Sequence, residues 1–396
     1  MSIRSFRSGL AAGSTLAVAV ILAGCGSSTQ TSNPSPSVFA GEPALRASML
    51  KLVSDGGAPG VITVIQDGAS TYTLGEGKAN LTDGHAMTGD AVFRIASISK
   101  AFNGAVILVL ANKGKLTLAS TVGALLPTAP ASWGKVTVGQ LLQHTSGLPD
   151  YIKDPAFLKE FIANTKMQKT PAQLIDYVAD KPPAFTPGSR YEYSDTDNIV
   201  AGMIAEQVSG KSYNDLLSED VAKPLGLTTT ELPTTTALPS GYIHGYAGVE
   251  PVSGSASPAA AEDITELINP GLAWASGGMT TTAAELNFFI RGYVSGKLIS
   301  PELLKQQQQF VPGAGGPPGP GVNSSGVGIY RYVTACGTFL GHTGNLPGYT
   351  SFAASTPDGQ HSVAVAINSQ ASPNAQKAAY QNLLAVENAA LCAARG

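Results

Sequence analysis

The chain has 396 residues, of which 43% are apolar and only 13% are charged, and its formal charge is −3. About a quarter of the residues in an average soluble domain are charged, so this composition excludes a charge-rich disordered chain, a coiled coil and a basic nucleic-acid binder. The 45 glycines and 26 prolines follow no collagen-like period, which indicates many turns around a real apolar core.

The first 24 residues have the features of an export signal. Two arginines and no acidic residue accompany an apolar run over residues 10–22. This run is shorter than the about 20 residues that a transmembrane helix needs, so it predicts a signal peptide over residues 1–24. The four residues that end at Cys25 resemble the lipobox of bacterial lipoproteins, in which the cysteine is lipidated. We therefore expect export and a lipid anchor on the extracytoplasmic side of the cell membrane; an ordinary secretory signal with a chance cysteine is the alternative.

Residues 25–40 are predicted to form a flexible tether. Nine of the twelve residues in 26–37 are Ser, Thr or Pro and none is charged, so this stretch cannot build a core. The folded domain is assigned to residues 41–396. It contains Cys336 and Cys392, and in an oxidising compartment two such cysteines most often form a disulfide. Two buried free thiols are the alternative.

The predicted elements indicate one sheet built from distant parts of the chain. A helix with apolar spacing over residues 45–53 precedes two alternating segments around Asp67 and Gly68, which predict a hairpin. An apolar helix follows over residues 96–113, and Pro- and Gly-rich connections join further helices in an insertion at about 137–270. Within the insertion, helices are predicted at 155–164, 171–179, 198–209 and 213–222. Strand patterns return at 328–332, 338–341, 349–355 and 362–368, and a final helix is expected over 373–393. The fold class is therefore α/β, an antiparallel sheet flanked by helices with an inserted, mainly helical subdomain.

The pattern Ser-x-x-Lys occurs three times, starting at Ser48, Ser97 and Ser132. A nucleophilic serine needs a base within hydrogen-bond reach, and a spacing of three residues places the lysine on the same helix face. Of the three serines, only Ser97 begins a buried helix, where the helix dipole favours developing negative charge and the lysine is partly desolvated. This context makes Ser97 the candidate nucleophile and Lys100 its base, although the pattern alone is equally compatible with a structural role.

Two further motifs follow in the chain. A Pro-Gly turn leads into Tyr193, Ser194 and Asp195 at the start of a helix, and a strand ends in His342-Thr343-Gly344-Asn345. The order and spacing of the three motifs resemble the serine penicillin-recognising hydrolases, which include class C β-lactamases, D-alanyl-D-alanine carboxypeptidases and related esterases. Their motifs are Ser-x-x-Lys, Tyr-x-Asn and a Lys/His-Thr/Ser-Gly strand. Further matching blocks extend the resemblance over almost the whole folded domain. The C-terminal part of the domain most resembles exported D-alanyl-D-alanine carboxypeptidases.

The resemblance implies a β-lactamase/transpeptidase-like fold and hydrolysis through an acyl-enzyme without a cofactor. His85, His244 and His361 are scattered without metal-ligand spacing, which predicts no metal. Ser97 would attack a carbonyl while Lys100 and Tyr193 move its proton, and the backbone N–H groups of Ser97 and Asn345 would form the oxyanion hole. Nearby cations would have to lower the pKa of Tyr193 from about 10 for it to act as a base. The residues expected to bind substrate are Asp195, His342, Thr343, Gly344 and Asn345.

Two departures from the family pattern affect specificity. Asp195 stands where the family has Asn, and an ionised Asp cannot donate a hydrogen bond to a substrate carbonyl, although it can pair with Lys100. This favours esters or an altered specificity. His342 in place of Lys favours carboxypeptidases and esterases over class C β-lactamases. Arg331, shortly before that strand, is a candidate anchor for a substrate carboxylate; a surface strand arginine is the alternative. His144 is assigned a structural role.

These observations predict an exported, lipid-anchored serine hydrolase that resembles D-alanyl-D-alanine carboxypeptidases. Its substrate would be a small molecule or a peptidoglycan peptide, with no nucleic-acid partner. The alternatives are an esterase or β-lactamase of the same family, or a lipoprotein that binds penicillin or muropeptides without turnover. The sequence does not indicate an oligomeric state.

Overall fold

The computed structural model describes residues 39–248, 261–311, 317–374 and 376–396. The predicted signal peptide, Cys25 and residues 25–38 of the tether lie outside these ranges. The helices are α1 (Glu42–Ser54), α2 (Ser99–Asn112), α3 (Val122–Leu125), α4 (Val138–Leu142), α5 (Pro155–Ala163), α6 (Pro171–Ile175), α7 (Asp195–Ser209), α8 (Tyr213–Leu216), α9 (Lys223–Leu225), α10 (Trp274–Gly277), α11 (Ala283–Val294), α12 (Pro301–Gln307) and α13 (Lys377–Ala393). The strands are β1 (Gly60–Asp67), β2 (Ser70–Gly77), β3 (Val92–Arg94), β4 (Tyr246–Ala247), β5 (Glu262–Asp263), β6 (Thr280–Thr282), β7 (Val322–Ser325), β8 (Tyr330–Thr334), β9 (Gly337–Leu346), β10 (Tyr349–Ser355) and β11 (His361–Ile367).

Seven strands form one antiparallel sheet in the order β2-β1-β11-β10-β9-β8-β7. The N-terminal hairpin joins the C-terminal strands through β1 and β11, in a register that pairs Val61 with Ile367 and Asp67 with His361. The segment between β2 and β7 contains most of the helices. The structure thus confirms the predicted antiparallel sheet built from both ends of the chain.

Both faces of the central strands are buried. Ile62 and Val64 of β1 pack into one apolar cluster with residues of α2 and α11, whereas Val61 and Ile65 pack into a second cluster with residues of α1 and α13. Because successive strand residues point to opposite faces, helices on both sides require an almost continuous apolar run, as β1 has. The turn that leads into α2 packs against the interior strands β9 and β10, since Gly344 lies against the Ile95 carbonyl and the Ser351 hydroxyl donates to the same carbonyl.

Several element boundaries differ from the prediction. The helix predicted from residue 198 begins at Asp195, because Ser194 is the last extended residue, with φ −142°. The helix predicted over 171–179 ends at Ile175. Strand β9 continues to Leu346, so the His-Thr-Gly motif lies within the strand rather than at its end. The final helix begins at Lys377 because Gln376 has left-handed backbone, with φ 56°. Strand β7 was not predicted, since its sequence has too few apolar residues to show alternation.

Residues 137–270 were predicted to be mainly helical. The described part of this segment contains α4–α9, a π-helical turn over Leu217–Ala222 and only the short strands β4 and β5.

No helix in the described ranges is both long and apolar enough to cross a membrane.

Cys336 and Cys392 form a disulfide that links the β8–β9 turn to the last turn of α13. This finding confirms the predicted pairing over the alternative of two free thiols. The two cysteines are separated by 56 residues in the sequence. The chain-entropy model assigns the closure of a loop of this length about 4 kcal/mol of stabilisation.

We expect Cys392→Ser to lower the free energy of unfolding by about 4 kcal/mol, because the unfolded chain regains the freedom that the closed loop removes. Urea unfolding of the wild type and the variant measures this difference. Cys25→Ser is the control, since Cys25 takes no part in the disulfide. Equal unfolding midpoints for the wild type and Cys392→Ser would contradict the stabilising role.

Candidate active site

Ser97 lies on a single 3₁₀ turn, Ala96–Ile98, that leads directly into α2. Ala96 has left-handed backbone, with φ 50°, a conformation that costs an L-residue about 1–3 kcal/mol and is characteristic of functional sites. Local bonds hold this turn, because the Ser99 hydroxyl donates to the Ala96 carbonyl at 2.7 Å and accepts from the Met279 N–H at 3.2 Å. Ser97 remains partly exposed while its neighbours in α2 are buried.

Lys100 is buried one turn after Ser97, with 1% of its surface exposed. Its Nζ atom donates to Ser97 Oγ at 3.1 Å, to Asp195 Oδ1 at 2.6 Å and to the Ser276 carbonyl at 2.7 Å. These three acceptors match the three N–H donors of an ammonium group. The structure therefore confirms the expected Lys100–Asp195 pair, and Lys100 must release a proton before it can accept one from Ser97.

Tyr193 lies beside this pair, with Lys100 Nζ 4.8 Å from the centroid of its ring. Its hydroxyl is buried and makes no full hydrogen bond to a described residue, although the Ser97 side chain lies close enough to oppose part of the rise in its pKa. Burial, followed by the negative charge of Asp195, raises the pKa of Tyr193 well above its ordinary value. Tyr193 could act as a base only if nearby cations lowered this pKa, and in the resting site burial and Asp195 raise it instead. Tyr193 is a neutral phenol here, which leaves it able to pass a proton between the reacting groups.

Asp150 is a part of the site that the motifs did not indicate. Its Oδ1 atom accepts the Asp195 N–H at 3.1 Å, and its Oδ2 atom lies 3.2 Å from Lys153 Nζ. Burial and the charge of Asp195 raise the pKa of Asp150 to about 6. Asp150 thus fixes the start of α7, where Asp195 meets Lys100. Nothing in the local sequence distinguishes it, because the contact depends on folding of the insertion.

His144 and Asp197 support Tyr193 from behind. The His144 ring lies 4.4 Å from the Tyr193 ring, its Nδ1 atom is 2.9 Å from Asp197 Oδ2, and Ser146 donates to Asp197. Burial and the charge of Lys100 lower the pKa of His144, which keeps the ring neutral. The structural role predicted for His144 is thus a specific one, since it positions Tyr193. Asp197 was missed, although it lies in the same helical turn as Asp195.

The His-Thr-Gly motif forms the wall of the site opposite Tyr193. His342 is buried, and its Nδ1 atom lies 2.6 Å from the Thr343 carbonyl. Burial and the charge of Lys100 lower the pKa of His342 to about 3, so it is neutral. A Cβ atom on Gly344 would lie 2.1 Å from the Ile95 carbonyl, so only glycine allows β9 to approach the Ser97 turn. The Asn345 side chain donates to the Ala371 carbonyl at 2.6 Å.

The structure does not bring Arg331 to the site. Its guanidinium lies over the Phe310 ring, 4.7 Å from the centroid, and Arg331 lines neither of the cavities that contain Ser97. Strand alternation explains this, since Arg331 points to the face of β8 opposite Tyr330 and Tyr332. This placement fits the alternative of a strand arginine rather than a carboxylate anchor.

Two cavities meet at Ser97, and both are also lined by Asp195 and Asn345. The first cavity, of about 280 Å³, is mostly apolar and includes the buried cation Arg94. The second cavity, of about 420 Å³, runs toward α13. The larger aliphatic side chains and the phenylalanines that line the first cavity are Ile152, Phe157, Leu158, Phe161, Ile268, Leu272 and Leu346.

The geometry defines a class of protein. Nucleophilic acyl transfer requires a nucleophile with a proton acceptor beside it. The site provides a partly exposed serine at the start of a buried helix, a lysine 3.1 Å from the serine Oγ atom and a tyrosine in contact with the same lysine. Shared access to two cavities allows an acyl group and a leaving group to lie on either side of the serine. This arrangement is that of a serine hydrolase site.

The comparisons with known proteins identify its family. The sequence matches the Beta-lactamase family model over residues 45–387, and the chain belongs to that family. It is 29% identical over 194 residues to penicillin-binding protein 4* of Bacillus subtilis (strain 168), covering 47% of this chain and 41% of that protein. It is 28% identical over 192 residues to an Escherichia coli O157:H7 protein provisionally named a D-alanyl-D-alanine carboxypeptidase, covering 44% of each. The chain thus spans less than half the length of these curated relatives.

A solved structure matches more of the chain. The D-stereospecific amidohydrolase from a Streptomyces species has a TM-score of 0.73 and 30% identity, covering 83% of this chain and 94% of that protein. This similarity confirms the predicted β-lactamase/transpeptidase-like fold.

Proposed function

We propose that this protein is an exported, lipid-anchored serine peptidase that cleaves D-alanyl-D-alanine ends through an acyl-enzyme, in the manner of D-alanyl-D-alanine carboxypeptidases. The observation that carries the proposal is the contact of Lys100 with both Ser97 and Asp195 at the junction of two cavities. The names of the relatives, a penicillin-binding protein, a carboxypeptidase and a D-stereospecific amidohydrolase, support amide chemistry on D-residues.

A carboxypeptidase needs a cation that binds the substrate carboxylate. Arg94, rather than Arg331, is the candidate for this role. Arg94 is 4% exposed and lines the first cavity. Its Nε and Nη2 atoms donate to the carbonyls of Thr265 and Thr236, at 3.2 Å and 2.6 Å, whereas Nη1 has no hydrogen-bond partner among the described residues. A guanidinium stays charged when buried, so an incoming carboxylate would gain a charge-assisted hydrogen bond.

A substrate panel tests the proposal. Wild-type protein is incubated with a D-alanyl-D-alanine peptide, its carboxamide-ended counterpart, a p-nitrophenyl ester, a chromogenic cephalosporin and a fluorescent penicillin. We expect release of D-alanine from the free-acid peptide and slower cleavage of the carboxamide. Ester turnover alone would indicate an esterase, rapid cephalosporin hydrolysis a β-lactamase, and stable penicillin labelling without any turnover a binding protein.

An esterase is the second candidate, and Asp195 is the observation that favours it. The carboxylate accepts from Lys100 and offers no donor to a substrate amide carbonyl. We expect Asp195→Asn to raise the rate on the peptide or the penicillin about three- to tenfold, since a new donor contributes about 1 kcal/mol while the amide oxygen still accepts from Lys100. The acylation rate measures this effect, with the exposed Asp176→Asn as control. An unchanged or lower rate would contradict this account of specificity.

The lipid anchor has its own test. If Cys25 carries the lipid, Cys25→Ser should move the protein from the membrane fraction of the producing cells into the soluble fraction. Immunoblots of the two fractions measure the distribution, and Cys392→Ser is the control for the loss of a cysteine elsewhere in the chain. Continued membrane association of the Cys25→Ser protein would count against the lipobox.

A further inference from the structure

The second cavity contains a buried carboxyl group that the hydrolytic chemistry does not use. Glu387 lies on α13, is 3% exposed and lines the cavity together with Tyr380 and Leu383 from the same helix face. Its Oε2 atom has no hydrogen-bond partner among the described residues. A buried polar group without a partner destabilises a protein, so this carboxyl requires an explanation.

The lining of the second cavity favours a cation. Of its two acidic residues, Asp195 is already paired with Lys100, which leaves Glu387, and no Lys, Arg or His is found among the described residues that line the cavity. The side chains of Tyr193 and Tyr380 also line the cavity, and aromatic faces attract ammonium groups. Burial alone raises the pKa of Glu387 to about 8, so the carboxyl is protonated near neutral pH, and an ammonium group entering the cavity would favour its ionised form.

We propose that the second cavity is a subsite for an ammonium group of the substrate and that Glu387 is the specificity-determining residue that pairs with it. The inference rests on the proposed function, because the reacting carbonyl must lie at Ser97 while the ammonium lies toward α13. An alkyl chain that ends in a primary amine, such as a lysine side chain, has the required chemistry. The stem would pass neutral residues such as Thr343 and Leu383, and its end would meet Glu387.

A matched pair of peptides tests this subsite. Binding of N-acetyl-lysyl-D-alanyl-D-alanine and of its norleucyl counterpart, which lacks the amine, is measured by calorimetry on Ser97→Ala protein. We expect the lysyl peptide to bind at least tenfold more tightly than the norleucyl peptide. Adding Glu387→Gln should weaken binding of the lysyl peptide about tenfold and change that of the norleucyl peptide less than twofold. Glu302→Gln, an exposed change on α12, is the matched control.

Folding and function are tested separately. Glu387→Gln should unfold at a temperature no lower than the wild type at pH 8, because glutamine keeps the shape and removes a carboxyl that is costly to ionise when buried. Equal binding of the two peptides, failure of the lysyl peptide to bind, or an affinity ratio unchanged by Glu387→Gln would overturn the subsite. Tighter binding of the lysyl peptide without release of D-alanine by the wild type would overturn the proposed function instead.

Discussion

Ser97→Ala is expected to lower kcat/KM on every hydrolysed substrate by a factor of at least about 10³ and to abolish covalent labelling by a fluorescent penicillin. The acyl-enzyme forms on the serine oxygen, so its removal eliminates the covalent step itself, and loss of a nucleophile is among the largest single effects known in enzymes. Labelling on a denaturing gel and initial rates on the peptide and the ester measure the two effects.

The chain provides a matched control for this variant. Ser48 also begins a Ser-x-x-Lys pattern, but it lies within α1, where its hydroxyl donates to the Ala44 carbonyl at 3.0 Å. Ser48→Ala should therefore retain wild-type labelling and rates. If Ser97→Ala and the wild type label equally, Ser97 is not the nucleophile.

Lys100→Met should lower the acylation rate by about 10²- to 10⁴-fold, the usual contribution of a positioned proton-transfer group. It should also destabilise the fold by about 3 kcal/mol, because Asp195, with a side chain only 12% exposed, loses the partner at 2.6 Å and is left as an unpaired carboxylate. Stopped-flow acylation and urea unfolding measure the two effects.

A second substitution separates the catalytic role of Lys100 from its structural role. Adding Asp195→Asn to Lys100→Met removes the unpaired charge, so most of the lost stability should return while the acylation rate stays low. The double-mutant cycle gives the coupling energy between the two side chains. Recovery of the rate together with the stability would show that Lys100 acts only by supporting the fold. Lys51→Met, in the Ser-x-x-Lys pattern that starts at Ser48, is the control.

Much of the fold could be predicted from local patterns. The hairpin around Asp67 and Gly68 and the apolar helix after Ser97 have periodicities that their own residues determine, and the structure contains both. Boundaries were less predictable where an irregular residue determines them. Ser194 and Gln376 decide where α7 and α13 begin, and the backbone angles of these residues depend on the surrounding packing rather than on residue type.

The residues of the candidate site also fall into two groups, those that the sequence predicted and those that only the structure identified. The sequence by itself determined the three motifs, and hence the family and the choice of Ser97, Lys100 and Tyr193, because motif spacing and helix position are local properties. Only the tertiary structure decided the raised pKa of Tyr193, the exclusion of Arg331 and the presence of Asp150 and Glu387 beside the site. Burial and charge at these positions come from segments far apart in the chain, and no local pattern records which segments will meet.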